Sequence, residues 1–138
     1  MITNYYLKLI SNNIFNTSGM FTLPVEYQIG LSSTLPSVDG TNITEPNIAT
    51  GYTRVIIDND DDVFDKDEIT GLPVNKGRLY FGESTKPWDS LKYYVIYDDN
   101  NNLLMYGELA KTLDVPIRTI VAIPERTLKL EVVNGSVM

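Results

Sequence analysis

Apolar and polar residues change their spacing once along this chain. Between Asn4 and Phe15, Tyr6, Leu7, Leu9, Ile10 and Ile14 recur at about the 3.6-residue period of a helix. Thr3 or Asn4 can cap its start, and Asn16–Gly19 (NTSG) can end it. From Val25 the period becomes two. In VEYQIGL, Val25, Tyr27, Ile29 and Leu31 alternate with Glu26, Gln28 and Gly30, the pattern of a half-buried strand. Tyr52–Ile57 is β-branched and apolar, and Arg78–Gly82 is a shorter run. Lys92–Asp98 and Leu103–Leu109 flank an Asp/Asn turn and predict a hairpin. Arg118–Ile123 and Thr127–Val133 close the series, with Pro124, Glu125 and Arg126 turning between them.

About seven short strands after one helix, with no helix between strands, predict an all-β, mainly antiparallel fold. The expected form is a sandwich of Ig-like or jelly-roll-like type with a short N-terminal helix. Lys111–Val115 is expected to form one helical turn at most. At 138 residues the chain suits one domain, 1–138, with the helix and its connection at 1–20. Two segments do not fit as strands: a long ordered loop at 32–51, rich in Ser, Thr, Pro and Gly, and an acidic loop at 58–77. On the hairpin, Tyr93, Val95 and Tyr97 are expected on one face, Tyr94 and Ile96 on the other.

Composition narrows the chemistry. The net charge of −7, with 11 basic and 18 acidic residues, disfavours nucleic acid and anionic membranes. No apolar run approaches the ~20 residues that span a bilayer, and MITNYYLKLISNN lacks the features of a signal peptide. The expectation is a chain made in a cytoplasm that leaves the cell only on a larger particle. There is no Cys and no His. That removes thiol nucleophiles, zinc–thiolate sites, His-based triads and the usual general base near neutral pH. Carboxylates would have to carry any catalysis, as in a glycoside hydrolase, and none lies in a clearly apolar setting. The expectation is no enzyme and no cofactor.

The acidic stretch DNDDDVFDKDEITG (Asp58–Gly71) imitates a calcium loop. Asp58, Asp60 and Asp62 fall at positions 1, 3 and 5 of an EF-hand, but Val63 takes the glycine position and Ile69 the bidentate glutamate position. A solvated, charge-repelled loop is the expectation, with no metal; a weak divalent-cation site of another geometry is the alternative. Among the aromatics, Trp88, Tyr94 and Tyr106 are candidates for a protein or sugar interface; packing alone also explains strand aromatics, and Trp88, after Pro87 at a strand entrance, also reads as a structural anchor. The sequons at Asn16, Asn42 and Asn134 carry no weight without a secretory signal.

LSSTLPSVDGTNITEPNIATGYTRVII resembles a segment of a family of small bacteriophage virion proteins, described as tail-fibre or minor structural proteins. Leu31, Ser32, Thr34, Pro36, Asp39, Gly40, Thr44, Glu45, Pro46, Gly51, Tyr52 and Arg54 carry the match. A second block, PWDSLKYYVIYDDNNNLLMYGEL, matches at Trp88, Asp98, Leu103, Leu104, Tyr106, Gly107 and Leu109, and Asn75 and Phe81 fit weaker positions between. The chain departs from the family at Val63–Phe64, the acidic run and the DDNNN turn. The resemblance implies a non-enzymatic virion component of a tail fibre, baseplate or decorated capsid, assembled in a host bacterial cytoplasm. Its expected partners are other virion proteins and further copies of itself. A carbohydrate-binding or receptor-binding module of the particle, meeting a cell-surface glycan, is the alternative. Glu45, Pro46, Tyr52 and Arg54 are expected to form a clasp at the base of the long loop.

Overall fold

A computed structural model describes residues 1–15, 23–60 and 62–128. The helix α1 spans Asn4–Ile14, and eight strands follow: β1 (Glu26–Ser32), β2 (Val55–Asp58), β3 (Phe64–Lys66), β4 (Pro73–Asn75), β5 (Leu79–Tyr80), β6 (Trp88–Asp98), β7 (Leu103–Val115) and β8 (Ala122–Ile123). All pairings are antiparallel. One four-stranded sheet has the order β2-β1-β6-β7, and β3-β4 and β5-β8 form two ribbons. The mainly antiparallel all-β fold with one N-terminal helix is therefore the one the two periods require.

Both faces of the main sheet are covered. On one, Ile29, Leu31, Val55, Ile57 and Ile96 pack with Phe81, Trp88, Leu91, Val115 and Leu128, and the ribbons add Phe64, Leu79 and Ile123. On the other, Val95, Tyr97, Leu103 and Tyr106 pack with Ile43 of the long loop. The hairpin aromatics thus divide between the faces as alternation demands.

The helix is held at its start. Thr3 accepts a hydrogen bond from the Tyr6 N–H at 3.4 Å and donates its hydroxyl to the Leu103 carbonyl at 2.5 Å. Tyr6, Leu7, Leu9 and Ile10 are half-buried, but Ile14 is exposed and does not belong to the packed stripe. The expected stop at Asn16–Gly19 lies outside the described residues.

Three expectations need correction. Lys111–Val115 is not a helical turn, because β7 runs on to Val115. Its partner supplies the reason: β6 begins at Trp88, and Leu91↔Leu113 and Trp88↔Val115 pair across the hairpin. Local propensity is overridden by this cross-strand packing. The acidic segment 58–77 is not strandless, since β3 and β4 pair within it. Val74 and Asn75 are fully buried, and the Phe64 ring meets Tyr27 edge-on at 6.2 Å. The turn between them is made by Asp67, which accepts from the Ile69 and Thr70 N–H groups, and by Gly71 at φ 71°. Three strands are shorter than their expected runs, with Arg78–Gly82 reduced to β5 at Leu79–Tyr80. Tyr52–Arg54 leaves β2 because its side chains are engaged elsewhere, and Arg118, at φ 60°, turns the chain before β8. Of the last expected strand, residues 129–133 lie outside the described residues.

Among the described residues five polar ones are buried, and each ties a connection to the body. Thr3 holds the helix start. Ser32 accepts from the Thr44 N–H at 3.0 Å. Ser84 donates to the Pro116 carbonyl at 2.5 Å and accepts from the Thr119 N–H at 3.0 Å. Asp98 accepts from the Asn100 and Asn102 N–H groups, both at 2.9 Å, and closes the β6–β7 turn. Asn75 donates to the carbonyls of Gly77 and Pro124 at 2.8 and 2.9 Å and accepts from the Leu128 N–H at 2.9 Å. Among the described residues no buried side-chain polar atom lacks a partner.

Asn75→Ala strips the buried Leu128 N–H of its acceptor, while the two carbonyls it also held belong to the exposed residues Gly77 and Pro124. It is expected to cost about 1–3 kcal/mol, the penalty of leaving a buried polar group unsatisfied. Urea denaturation of the variant against wild type measures this as a lowered midpoint at unchanged slope.

Candidate functional site

The loop from Ser32 to Gly51 is built from its own hydrogen bonds. Ser33 N–H donates to the Thr44 carbonyl at 2.9 Å, and Ser37 N–H to the Thr41 carbonyl at 2.9 Å. Thr34 Oγ1 donates to the Asn42 carbonyl at 2.7 Å, and Asn42 Nδ2 to the Leu35 carbonyl at 2.8 Å. Asp39 accepts from the Thr41 N–H and hydroxyl, and Gly40 at φ 84° completes the tip. Asn47 then caps a 3-10 turn at Ile48–Thr50, which Gly51 ends in the left-handed conformation. Pro36 is buried and Pro46 half-buried, and both limit what the free loop can explore. Bonds from outside fasten it, among them Asn4 N–H to Val38 O, Trp88 Nε1–H to Thr50 O and Thr85 N–H to Thr50 O, at 2.8, 3.1 and 2.8 Å.

A polar cluster joins this loop to the sheet. The β1–β2 ladder stops at Ile29↔Val55, so the next inward-pointing amide of β1, that of Leu31, has no strand partner. The Tyr52 hydroxyl takes the place of the missing carbonyl, accepting from Leu31 N–H at 2.9 Å and donating to Glu45 Oε1 at 2.6 Å. Arg54 meets the same carboxylate with two bonds, Nε to Oε1 at 2.9 Å and Nη2 to Oε2 at 2.7 Å. Its Nη1 donates to Gln28 Oε1 at 3.1 Å and to Asn101 Oδ1 at 2.6 Å, and its guanidinium stacks 3.8 Å from the centre of the Tyr97 ring. One arginine thus bridges the loop, β1, β6 and the β6–β7 turn. Gly30 makes the space: a Cβ there would collide with Glu45 Oε1 and lie 2.8 Å from the Tyr52 hydroxyl. The isolated glycine within an alternating strand was the signal in the sequence for such a close approach. Gln28, Tyr97 and Asn101 gave no such signal.

The electrostatics fit a closed lock. Burial, reinforced by the Glu45 carboxylate, pushes the Tyr52 phenol far above its ordinary range. Burial also raises Tyr97, with Glu45 adding to it. Burial alone would lower Arg54, but the Glu45 hydrogen bond and charge outweigh it and hold the guanidinium above its usual value. Four of the five guanidinium N–H groups are spent on Glu45, Gln28 and Asn101, and both Glu45 oxygens are taken. The arrangement fixes a loop; it leaves no carboxylate poised for proton transfer.

The aromatic interface candidates sit differently from their expected role. Trp88 is 2% exposed, its ring edge-on to Tyr52 at 5.4 Å, so it anchors the loop and cannot offer a face to a partner. Tyr106 is 8% exposed and belongs to the packing under Ile43. Tyr94 is half-buried and lies flat against Gly107, its cross-strand partner, where a Cβ would strike the ring. In the acidic stretch the carboxylates cap turns, as Asp60 does for the Asp62 N–H at 3.0 Å, and Asp65 pairs with Arg126 at 3.0 Å. Among the described residues no group of three or more acidic side chains is placed to hold a metal ion.

Two outcomes follow for the lock. Gly30→Ala forces Glu45 and Tyr52 apart and is expected to cost about 1–3 kcal/mol, the range for overpacking a filled site. Tyr52→Phe strands the Leu31 N–H and is expected to cost about 1–2 kcal/mol. Both are read by chemical denaturation. Alkaline titration supplies the second check. Burial, then Tyr6, pushes the Tyr27 phenol up to about 12, and Tyr52 is raised as well. A raised folded pKa contributes stability that is complete below the unfolded value of about 10 and is lost as pH rises through the folded values. Stability is therefore expected to fall above pH ~10, less steeply in Tyr52→Phe, measured as unfolding free energy against pH.

No curated protein sequence matches this chain. A family model does: that of the podophage GP4 fiber I protein gp80, over residues 1–131, a span that takes in the locked loop, the polar cluster and the β6–β7 hairpin. The chain belongs to the podophage GP4 fiber I protein gp80 family.

Proposed function

We propose that this chain is a structural part of a podophage fibre that works through contacts with other virion proteins, with no catalytic step of its own. The observation that carries the reading is the family match across residues 1–131. The geometry agrees with it. The most elaborate polar cluster is spent on holding a loop, and neither histidine nor cysteine is present to run neutral-pH chemistry. Among the described residues no helix is long and apolar enough to cross a membrane.

The contact surface we assign is the outer side of the Ser32–Gly51 loop. Leu35, Val38 and Ile48 stand 56%, 42% and 79% exposed on a backbone that is already ordered, so docking there loses little conformational freedom. The tip of the β6–β7 hairpin adjoins it through Asn101 and Arg54. Neighbours on this surface are other virion proteins and further copies of the chain, assembled in the host cytoplasm. The acidic β3–β4 ribbon faces solvent. Trp88 and Tyr106, two of the aromatic residues that could have met a sugar, are packed inside and offer it no open ring face.

Leu35→Asp with Val38→Asp changes only exposed side chains. The pair is expected to leave thermal unfolding as in wild type and to lower the amount of polypeptide in purified particles severalfold, read by quantitative mass spectrometry. Purified wild-type particles that lack the polypeptide would contradict the structural role.

A further inference from the structure

The main sheet ends in two edge strands that are treated differently. The β7 edge is guarded. Residues 1–3 pair along it, with Thr3 N–H on the Leu104 carbonyl and Tyr106 N–H on the Met1 carbonyl, both at 2.9 Å. Its register against β6 shifts three times, and Lys111 stands near its middle. Bulges and lysines are the usual means of keeping an edge from pairing. The β2 edge has no bulge, proline, glycine or lysine in its sequence VIID, and only its four-residue length and Asp58 limit pairing along it.

The direction of the β2 backbone follows from its neighbour. Asn59 N–H donates to the Val25 carbonyl at 3.0 Å, in line with the Glu26↔Asp58 to Ile29↔Val55 register. Amides alternate in direction along a strand, so Val55 and Ile57 point to β1, while Arg54, Ile56 and Asp58 point away from the sheet. Among the described residues nothing bonds to the outward-facing backbone groups of these three. The same three side chains share the sheet face of Gln28, and Ile56 is 62% exposed there.

We infer that β2 pairs antiparallel with β2 of a second copy of this chain, about a two-fold axis normal to the sheet and midway between the two Ile56 residues. This deepens the fibre reading and rests on it for its setting. The register is selected by two coincidences. Centring on Ile56 puts all three outward amide pairs opposite their counterparts, so every bare N–H and C=O of the edge is used. It sets Ile56 against Ile56, covering the exposed apolar side chain of each copy. On the other face Val55 meets Ile57 of the partner copy, apolar on apolar. Self-pairing of the part of β7 that residues 1–3 leave open, 107–115, about its middle would instead bring Lys111 against Lys111. The contact is isologous and joins the two main sheets into one of eight strands.

The absence of cysteine makes the test clean. Ile56→Cys introduces a single thiol beside the axis, where paired Cβ atoms stand about 5 Å apart. Ile69→Cys places the control thiol at a 96% exposed turn position. Under mild oxidation the Ile56 variant is expected to form disulfide dimer about tenfold or more faster than the control, as pre-assembled thiols do. Light scattering across a concentration series is expected to show wild type rising towards dimer. Ile56→Lys, which sets charge against like charge, should stay monomeric with unchanged thermal unfolding. Equal crosslinking of the two cysteine variants, a wild type that stays monomeric, or self-association indifferent to Ile56→Lys would each overturn the β2 contact and leave the fibre role standing. Absence of the polypeptide from particles would overturn the fibre role and leave the crosslinking result untouched.

Discussion

A carboxylate placed against a sheet where one residue has no side chain organises much of this molecule. Glu45 sits in the gap over Gly30, held there by the Tyr52 hydroxyl at 2.6 Å and by two bonds from Arg54. The same hydroxyl finishes the β1 ladder by accepting from Leu31, so sheet edge and loop base share one atom. An ion pair this size in water is worth little. Here the two side chains are only 21% and 19% exposed, and each is bonded further, so losing one partner leaves the other uncompensated. The loop then delivers Ile43 onto Val95, Tyr97 and Tyr106, and a face of the sheet that would be wet becomes core.

The same economy recurs elsewhere. Short strands and long connections give a small fold little ladder to rely on. Single buried polar side chains make up the difference, each collecting two or three backbone groups from a distant turn, as Ser84 and Asn75 do. Such a molecule presents ordered loops at its surface. That suits a part that must fit its neighbours in a fibre, and the open β2 edge offers one direction in which copies can be joined.

Period-two alternation made the main sheet legible, because Tyr27, Ile29 and Leu31 on β1, and Tyr94 and Ile96 on β6, face one layer whatever the loops do. Glu45, Tyr52 and Arg54 were brought to attention by a family pattern, and the structure sets them together within 2.9 Å. What stayed hidden was decided at long range. The Lys111–Val115 stretch looks too polar for a strand until Trp88 and Leu91 are placed across from it. The β3–β4 ribbon is masked by its aspartates, whose role in capping the turn shows only in three dimensions. Trp88, readable in sequence both as an interface candidate and as an anchor after Pro87, spends its indole on the Thr50 carbonyl.

The central claim is that Glu45 holds the loop to the sheet while the sheet itself stands without it. Amide hydrogen exchange in wild type and Glu45→Ala tests this directly. The account predicts that protection falls at Leu31, Ser33 and Thr44 and is retained along Val95 and Ile96 of β6. Unchanged protection at Leu31, Ser33 and Thr44 in the variant would contradict it.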